Sequence, residues 1–145
     1  MPNPAQILPA SMQPVQGIYK VAVDAIGQPL MHLIHMRTSQ INGCSFCVFN
    51  GARAMKKDGE TDDRIASIAA WRHSPLFTDA ERAALALAEA LTRIADREDP
   101  VSDPIWSAAT HHFDEKQLAG IALGVSAVNV FNRLNIAVGQ VASAF

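Results

Sequence analysis

The chain contains two cysteines, Cys44 and Cys47, which lie three positions apart. In a reducing compartment, a pair at this spacing is more often catalytic or metal-binding than a structural disulfide. If the pair opens a helix, the free N–H groups and the positive end of the helix dipole stabilise a thiolate. Such a pair can also close into a disulfide with little backbone movement. The pattern therefore indicates a redox-active pair, although C-x-x-C is also half of many zinc sites.

Two histidines upstream of the cysteines make the zinc alternative concrete. His32, His35 and the cysteine pair Cys44/Cys47 together supply two imidazoles and two thiolates, a ligand set that zinc accepts. The residues between His35 and Cys44 are predicted to be mostly helical, which places His32 roughly 12 Å along a helix from the turn. This distance weighs against a shared metal ion. A further interpretation makes His32 an exposed or capping histidine without a role in chemistry.

The helices that would position these side chains are predicted by hydrophobic periodicity. Apolar residues repeat at helical spacing over residues 15–26, up to a Gly-Gln-Pro break. A second apolar face covers residues 30–41, and that helix should end at Asn42-Gly43. A third helix is predicted over residues 44–57. The second and third helices should form an antiparallel hairpin with the cysteine pair beside its turn.

Capping boxes mark two further helix starts. Thr78–Glu81 precedes an apolar helical pattern, and Asp114–Gln117 opens a long apolar helix that is predicted to continue to about Ser143. A short helix is also expected over residues 61–71. No segment alternates apolar and polar residues for long, so no strand is predicted. The predicted fold class is all-α, a bundle of about six to seven helices.

The N-terminal segment is expected to be a flexible arm, and the C-terminal segment a long apolar helix. Four of the eight prolines lie in residues 1–14, which favours a flexible, extended N-terminal arm. The last helix is apolar around most of its circumference and must be covered on all sides. Either its own neighbours surround it or a second subunit covers part of it. We expect a homo-oligomer.

Composition and charge limit the possible classes of function. The chain has 145 residues, 49% of them hydrophobic, which suffices for one domain with a sizeable core. A net charge of −2 without a cluster of Lys or Arg argues against nucleic acid and anionic membranes as partners. The N-terminus does not resemble a secretory signal, and the most apolar run is shorter than the roughly 20 residues of a membrane span. The sequence therefore predicts a cytoplasmic protein.

The segment that contains the cysteines carries a family resemblance. Residues Arg37–Cys47 read RTSQINGCSFC, which resembles the core of AhpD-like alkylhydroperoxidases, where SQINGC precedes the C-x-x-C pair. Similar residues recur further along the chain at Trp71-Arg72, Phe77–Leu87, Phe113 and Asn132-Arg133. The match spans residues 15–142, so the chain is similar to the carboxymuconolactone decarboxylase/AhpD-like superfamily. The resemblance implies an AhpD-like helical domain over residues 15–145, with the cysteines on a helical hairpin.

The resemblance also implies a peroxidase cycle without a bound cofactor. Cys47 would attack an organic hydroperoxide or hydrogen peroxide and become a sulfenic acid, which Cys44 would resolve to a disulfide. A dithiol reductant protein, lipoyl or thioredoxin-like, would reopen the disulfide. Relatives form hexamers, so the expected homo-oligomer is a hexamer (a trimer of dimers) or a dimer.

The chain departs from the family pattern at the proton relay. Relatives have a Glu twelve positions before the first cysteine and a His four positions after the second, and these positions are His32 and Gly51 here. If the hairpin turns at Asn42-Gly43, positions 32 and 51 lie opposite each other. His32 could then enter the space beside Gly51 and act as the base for Cys47, since imidazole suits this task near neutral pH.

Two other functions remain open at this stage. A member of the family that has lost peroxidase activity would act as a redox sensor or scaffold. A lactone decarboxylase is the less favoured alternative, because those enzymes do not depend on a C-x-x-C pair. Elsewhere in the chain, Arg37 is predicted to be a buried ion-pair partner, and Asn132 and Arg133 to satisfy buried groups or a subunit contact.

Overall fold

The computed structural model describes residues 1–142, and this part of the chain is helical without a strand. Eight α-helices are present in it, and six of them have ten or more residues. The predicted all-α class is confirmed. The helices are α1 (Pro4–Ile7), α2 (Met12–Ile26), α3 (Gln28–Asn42), α4 (Ser45–Lys57), α5 (Asp62–Ser67), α6 (Asp79–Thr92), α7 (Asp103–His112) and α8 (Glu115–Ala137), with 3-10 turns at Pro9–Ser11, Ile68–His73 and Ile94–Asp96.

Most helix boundaries follow the local signals in the sequence. Gly27, at φ 82°, separates α2 from α3, a backbone conformation that glycine adopts without strain. Both capping boxes form, at Thr78 before α6 and at Asp114 before α8. The short helix predicted over 61–71 is divided into α5 and a 3-10 turn, and α8 ends at Ala137 rather than near Ser143, which lies outside the described residues.

The extended conformation predicted for residues 1–14 is wrong, whereas the flexibility expected of this segment stays a prediction. Asn3 caps α1 by accepting a hydrogen bond from the Ala5 N–H, and α2 begins at Met12. Pro4 opens α1 and Pro14 lies in the first turn of α2, where backbone N–H groups have no partner inside the helix. The prolines are therefore compatible with helix, and the segment folds against the end of α8 through a 2.9 Å hydrogen bond from Asn3 to Asn135.

Helix α8 is the longest of the described helices and packs against α2, α3, α6 and α7. Its Ile121, Val125 and Val128 are buried in a core shared with α2, α3, α6 and α7. Its opposite side is open, with Leu123 and Val130 each 39% exposed. The expectation that a second subunit covers this side stays a prediction. No helix in residues 1–142 is both long enough and apolar enough to cross a membrane.

A buried carboxylate ties α3 to α6 and to the 3-10 turn after α5. Glu89 accepts hydrogen bonds from Arg37 at 2.5 Å and Trp71 at 2.9 Å, and pairs with Arg72 at 2.5 Å. Burial acts to raise the pKa of this carboxyl, but the donated hydrogen bonds hold the pKa below its usual value. The prediction that Arg37 is a buried ion-pair partner is confirmed.

Close packing of α8 against α2 depends on glycine. A Cβ at Gly120 would lie 2.7 Å from the Ala25 Cβ and 2.9 Å from the Ile26 Cγ2, neither of which can swing away. We therefore expect Gly120→Ala to lower the free energy of unfolding by about 1–3 kcal/mol through overpacking. Urea denaturation followed by circular dichroism measures this change.

The matched control for this prediction is Gly17→Ala. Gly17 lies on the exposed side of α2 with nothing within 4 Å of an added Cβ. This substitution should raise the unfolding free energy by about 0.5–1 kcal/mol, since glycine is costly inside a helix. A Gly120→Ala protein as stable as the Gly17→Ala protein would contradict the account of the α2–α8 contact.

Candidate functional site

The cysteine pair lies at a tight turn between α3 and α4. Gly43 ends α3 in the left-handed conformation, at φ 70° and ψ 27°. Cys44 is the N-cap of α4, and its sulfur accepts a 3.3 Å hydrogen bond from the Cys47 backbone N–H. The predicted positions of the turn and of the cysteines at the start of a helix are confirmed.

The two cysteines are joined as a disulfide, with their Cα atoms 5.3 Å apart. Both residues are buried, Cys44 with 1% and Cys47 with 4% of its surface exposed. This arrangement confirms that one turn of helix is enough to close the pair. The disulfide spans the first turn of α4 and links α4 to no other helix.

A cavity of about 500 Å³ opens beside Cys47. Its walls are mainly apolar and aromatic, and among the described residues no Asp, Glu, Lys or Arg lines it. Cys47 is part of the wall but Cys44 is not, so a small molecule in the cavity meets one sulfur of the pair. The wall includes Met12, Tyr19, Phe46, Phe131 and Leu134, with the amides of Asn3, Asn50 and Asn135.

His35 occupies the space beside Gly51. A Cβ at Gly51 would lie 3.1 Å from His35 Cδ2 and 2.7 Å from Met36 Sδ. His35 Nε2 donates a 3.3 Å hydrogen bond to the Cys47 carbonyl oxygen, and the ring meets Tyr19 edge-on at a centroid distance of 6.3 Å. Burial lowers the pKa of His35, the Cys47 carbonyl raises it and the charge of His32 lowers it, with a net shift downward.

The predicted position of His32 opposite Gly51 is therefore wrong. Gly51 lies eight residues after Gly43, and the residue eight positions before Gly43 on α3 is His35, whereas His32 lies eleven positions before it. His32 instead pairs with Asp58, the C-cap of α4, at 2.8 Å between Nε2 and Oδ2. Both histidines nevertheless line the cavity together with Cys47.

The zinc ligand set considered from the sequence does not converge. The Cys44 and Cys47 sulfurs are bonded to each other, His32 contacts Asp58, and His35 contacts a carbonyl oxygen. Within residues 1–142, no three His, Cys, Asp or Glu side chains are close enough to share a metal ion. The metal interpretation is wrong for the described part of the chain.

Two asparagines that the sequence analysis did not select lie near Cys47: Asn135 contacts its sulfur, and Asn3 contacts Asn135. Asn135 on α8 donates a 3.4 Å hydrogen bond from Nδ2 to the Cys47 sulfur, and its Oδ1 accepts from Asn3 at 2.9 Å. The sequence contained a signal for Asn135, because it lies one helical turn after Asn132 in an otherwise apolar helix. Asn3 and Asp58 gave no comparable signal.

Asn132 and Arg133 have different roles in α8. Asn132 is fully buried; its Nδ2 donates to Ser39 Oγ at 3.0 Å, and its Oδ1 accepts from Asn42 at 2.8 Å. The prediction that Asn132 satisfies buried groups is confirmed. Arg133 is exposed and bonds to Asn129 on its own helix.

Comparison with known proteins identifies the family of this chain. The model of the carboxymuconolactone decarboxylase family matches residues 9–90. The uncharacterized protein YdfG of Bacillus subtilis is 32% identical over 136 residues, covering 93% of this chain and 91% of YdfG. The chain belongs to the carboxymuconolactone decarboxylase family. The uncharacterized protein YnjA of Escherichia coli is 31% identical over 105 residues, 72% of this chain and 56% of YnjA.

Solved structures show the same AhpD-like fold. A protein of unknown function from Agrobacterium tumefaciens, suggested to be the antioxidant defence protein AhpD, superposes with a TM-score of 0.90 at 28% identity. That match covers 99% of this chain and 97% of the other. The debrominase Bmp8 superposes with a TM-score of 0.84 at 20% identity over 96% of this chain and 74% of its own, and at that identity it shows the shared fold alone.

The lowered pKa of His35 has a consequence for stability. The unfolded chain takes up a proton at the ordinary histidine pKa of about 6.5, whereas the folded protein resists protonation until lower pH. The free energy of unfolding should therefore fall as the pH decreases from about 6.5 towards the lowered pKa. His35→Gln keeps an amide donor for the Cys47 carbonyl and should remove this part of the pH dependence.

The measurement is urea denaturation at several pH values for the wild type and His35→Gln. The exposed His73 supplies a matched control, because His73→Gln should leave the slope unchanged. Parallel stability profiles for the wild type and His35→Gln would show that His35 titrates normally in the folded protein.

Proposed function

We propose that the chain is a thiol-dependent hydroperoxide reductase, with Cys47 as the peroxidatic and Cys44 as the resolving cysteine. The observation that carries this proposal is the disulfide-bonded pair, of which Cys47 alone faces a cavity of substrate size. The family membership and the resemblance at 28% identity to a suspected AhpD antioxidant protein agree with this chemistry.

The reaction begins with the reduced pair. The Cys47 thiolate attacks the outer oxygen of the hydroperoxide, the O–O bond breaks, and the alkoxide leaves as an alcohol after taking one proton. Cys47 is then a sulfenic acid. The Cys44 thiol attacks the Cys47 sulfur, water leaves, and the disulfide seen in the structure forms. In each cycle the hydroperoxide gains two electrons and the cysteine pair loses two.

A dithiol must return these two electrons to the protein. We expect a protein dithiol, lipoyl or thioredoxin-like, whose thiolate attacks one sulfur of the pair and whose second thiol completes the exchange. Cys47 is the accessible target because it borders the cavity, whereas Cys44 does not. The exchange restores the dithiol form of the pair and requires no metal or organic cofactor bound to this chain.

His32 is the proposed group that moves the proton. It borders the cavity with Cys47, and its 2.8 Å pairing with Asp58 holds the ring in place. His35 borders the same cavity, but its Nε2 is committed to the Cys47 carbonyl and burial disfavours its charged form. His32 is thus better placed to change charge during a cycle.

The second candidate function is a redox sensor or scaffold that uses the same disulfide without efficient turnover. The observation that favours it is Gly51, which removes the relay imidazole of the family pattern from α4. A sensor would be oxidised once by a hydroperoxide and would be reduced slowly. A reductase would consume many equivalents of hydroperoxide in the presence of a dithiol.

The first functional prediction concerns the cysteines. One equivalent of tert-butyl hydroperoxide added to the reduced protein should remove both thiols and lower the mass by two hydrogens. Cys44→Ser should stop at a sulfenic acid on Cys47, which dimedone traps. Cys47→Ser should react slowly, because the remaining sulfur of Cys44 is buried away from the cavity. Thiol titration and mass spectrometry give these results.

Turnover then separates the two candidate functions. With excess hydroperoxide and dihydrolipoamide or reduced thioredoxin, a reductase consumes hydroperoxide continuously. One equivalent consumed and no more would favour the sensor. Rapid oxidation of Cys47→Ser, at the rate of the wild type, would reverse the assigned roles of the cysteines.

The second functional prediction concerns the proton. His32→Gln should slow the oxidation of Cys47 by about 10²- to 10⁴-fold, the usual contribution of a general acid or base. Asp58→Asn should have a smaller effect in the same direction, because it removes the carboxylate that holds the His32 ring in place. His35→Gln, which keeps the donor to the Cys47 carbonyl, serves as the control. Stopped-flow measurement of thiol loss that shows equal rates for the wild type and His32→Gln would remove His32 from the mechanism.

A further inference from the structure

A chain of hydrogen bonds connects the backbone of α1 to the sulfur of Cys47. It runs from the Ala5 N–H to Asn3 at 3.0 Å, from Asn3 to Asn135 at 2.9 Å and from Asn135 to Cys47 at 3.4 Å. Neither asparagine belongs to the relay implied by the family resemblance, and they come from opposite ends of the described chain. The chain of bonds ends on the sulfur that faces the cavity.

The first hydrogen bond of this series, from the Ala5 N–H to Asn3, determines which group donates and which accepts in each of the others. A backbone N–H can only donate, so the Asn3 side chain must present its oxygen to Ala5. The Asn3 amide nitrogen is then left to donate, and the group it meets on Asn135 must be the oxygen. The Asn135 amide nitrogen is consequently the group that faces Cys47, and the sulfur receives a donor.

We propose that Asn135 is a catalytic residue that stabilises the Cys47 thiolate by a hydrogen bond, and that Asn3 is the positioning residue that orients it. The proposal rests on the peroxidatic role proposed for Cys47. A donor favours the charged form of a sulfur, and a hydrogen bond to an ionised group is about twice as strong as a neutral one. The bond is thus stronger to the thiolate than to the disulfide sulfur, and it favours the reduced, reactive form.

The surroundings of Cys47 make this donor important. Among the described residues no Lys or Arg lines the cavity, so no cationic side chain of permanent charge stabilises a thiolate there. The titratable side chains that share the cavity with it are Tyr19, His32 and His35, and His35 donates to the Cys47 carbonyl oxygen instead. The Cys47 N–H, in the first turn of α4, donates to the Cys44 sulfur and not to the Cys47 sulfur. Asn135 is the side chain that bonds the Cys47 sulfur directly.

The test measures thiolate reactivity without a peroxide. All variants are made in a Cys44→Ser background, which leaves one thiol and keeps a good N-cap for α4. The rate of alkylation of Cys47 by iodoacetamide is followed against pH. Asn135→Leu should slow alkylation at neutral pH by about tenfold and move the midpoint of the profile to higher pH. Asn50→Leu is the matched control, because the Asn50 amide bonds the Phe46 carbonyl and no sulfur.

A variant at Asn3 tests the orientation of the Asn135 amide, because Asn3 bonds Asn135 and not the Cys47 sulfur. Asn3→Asp keeps the oxygen that caps α1 but replaces the donor to Asn135 with an acceptor, so the Asn135 amide should turn its oxygen towards Cys47. Alkylation should slow by at least as much as in Asn135→Leu. Gln6→Glu adds the same charge to the cavity wall without contact to Asn135 and should slow it less.

The outcomes separate this proposal from the proposed function. Unchanged alkylation in both Asn135→Leu and Asn3→Asp overturns the role of the asparagines, even if the wild type reduces hydroperoxides. Slowing of the same size in Asn3→Asp and Gln6→Glu overturns the orienting role of Asn3 and leaves a charge effect. Slower alkylation as expected, in a protein that consumes no hydroperoxide, supports the asparagine pair and contradicts the peroxidase.

Discussion

The buried hydrogen bonds of Asn132 are the constraint on which the site depends. This side chain lies in the apolar centre of the bundle, where an unpaired amide would be costly, and it bonds to Ser39 and Asn42 on α3. These partners lie in the last turn of α3, immediately before Gly43 and the cysteine pair. Any slide of α8 along α3 would leave polar groups unpaired, so the bonds fix the register of the two helices.

That register explains how a residue far along the chain reaches the Cys47 sulfur. Asn135 lies three positions after Asn132, so both point to the same side of α8. One amide holds the end of α3 and the next bonds the Cys47 sulfur beyond the turn. No buried side-chain nitrogen or oxygen in the described residues lacks a partner. The polar groups of the site are thus part of the same network that fixes the packing.

Local signals predicted the helices better than they predicted contacts between them. The capping boxes and Gly43 act within a few residues, so the starts of α6 and α8 and the end of α3 followed from the sequence. The arm over residues 1–14 was predicted incorrectly because a proline count ignores that Pro is favoured in the first turn of a helix. The partner of Gly51 was missed for another reason. The turn was predicted in the right place, but positions 32 and 51 are not equally distant from it, so the residue that faces Gly51 lies about one helical turn after His32.

The cysteine pair could be found from spacing alone, whereas the groups around it depend on that register. Gly51 shows why the side chains around the cysteine pair depend on the register of the helices. With His35 and Met36 packed against it, position 51 has no room even for a methyl group. An imidazole at 51, as in the family pattern, and His35 in its present position exclude each other. The chain therefore keeps an imidazole next to the Cys47 backbone, but it supplies the ring from α3 instead of α4. This ring donates to the carbonyl of Cys47, and the side chain that donates to the Cys47 sulfur is Asn135 on α8.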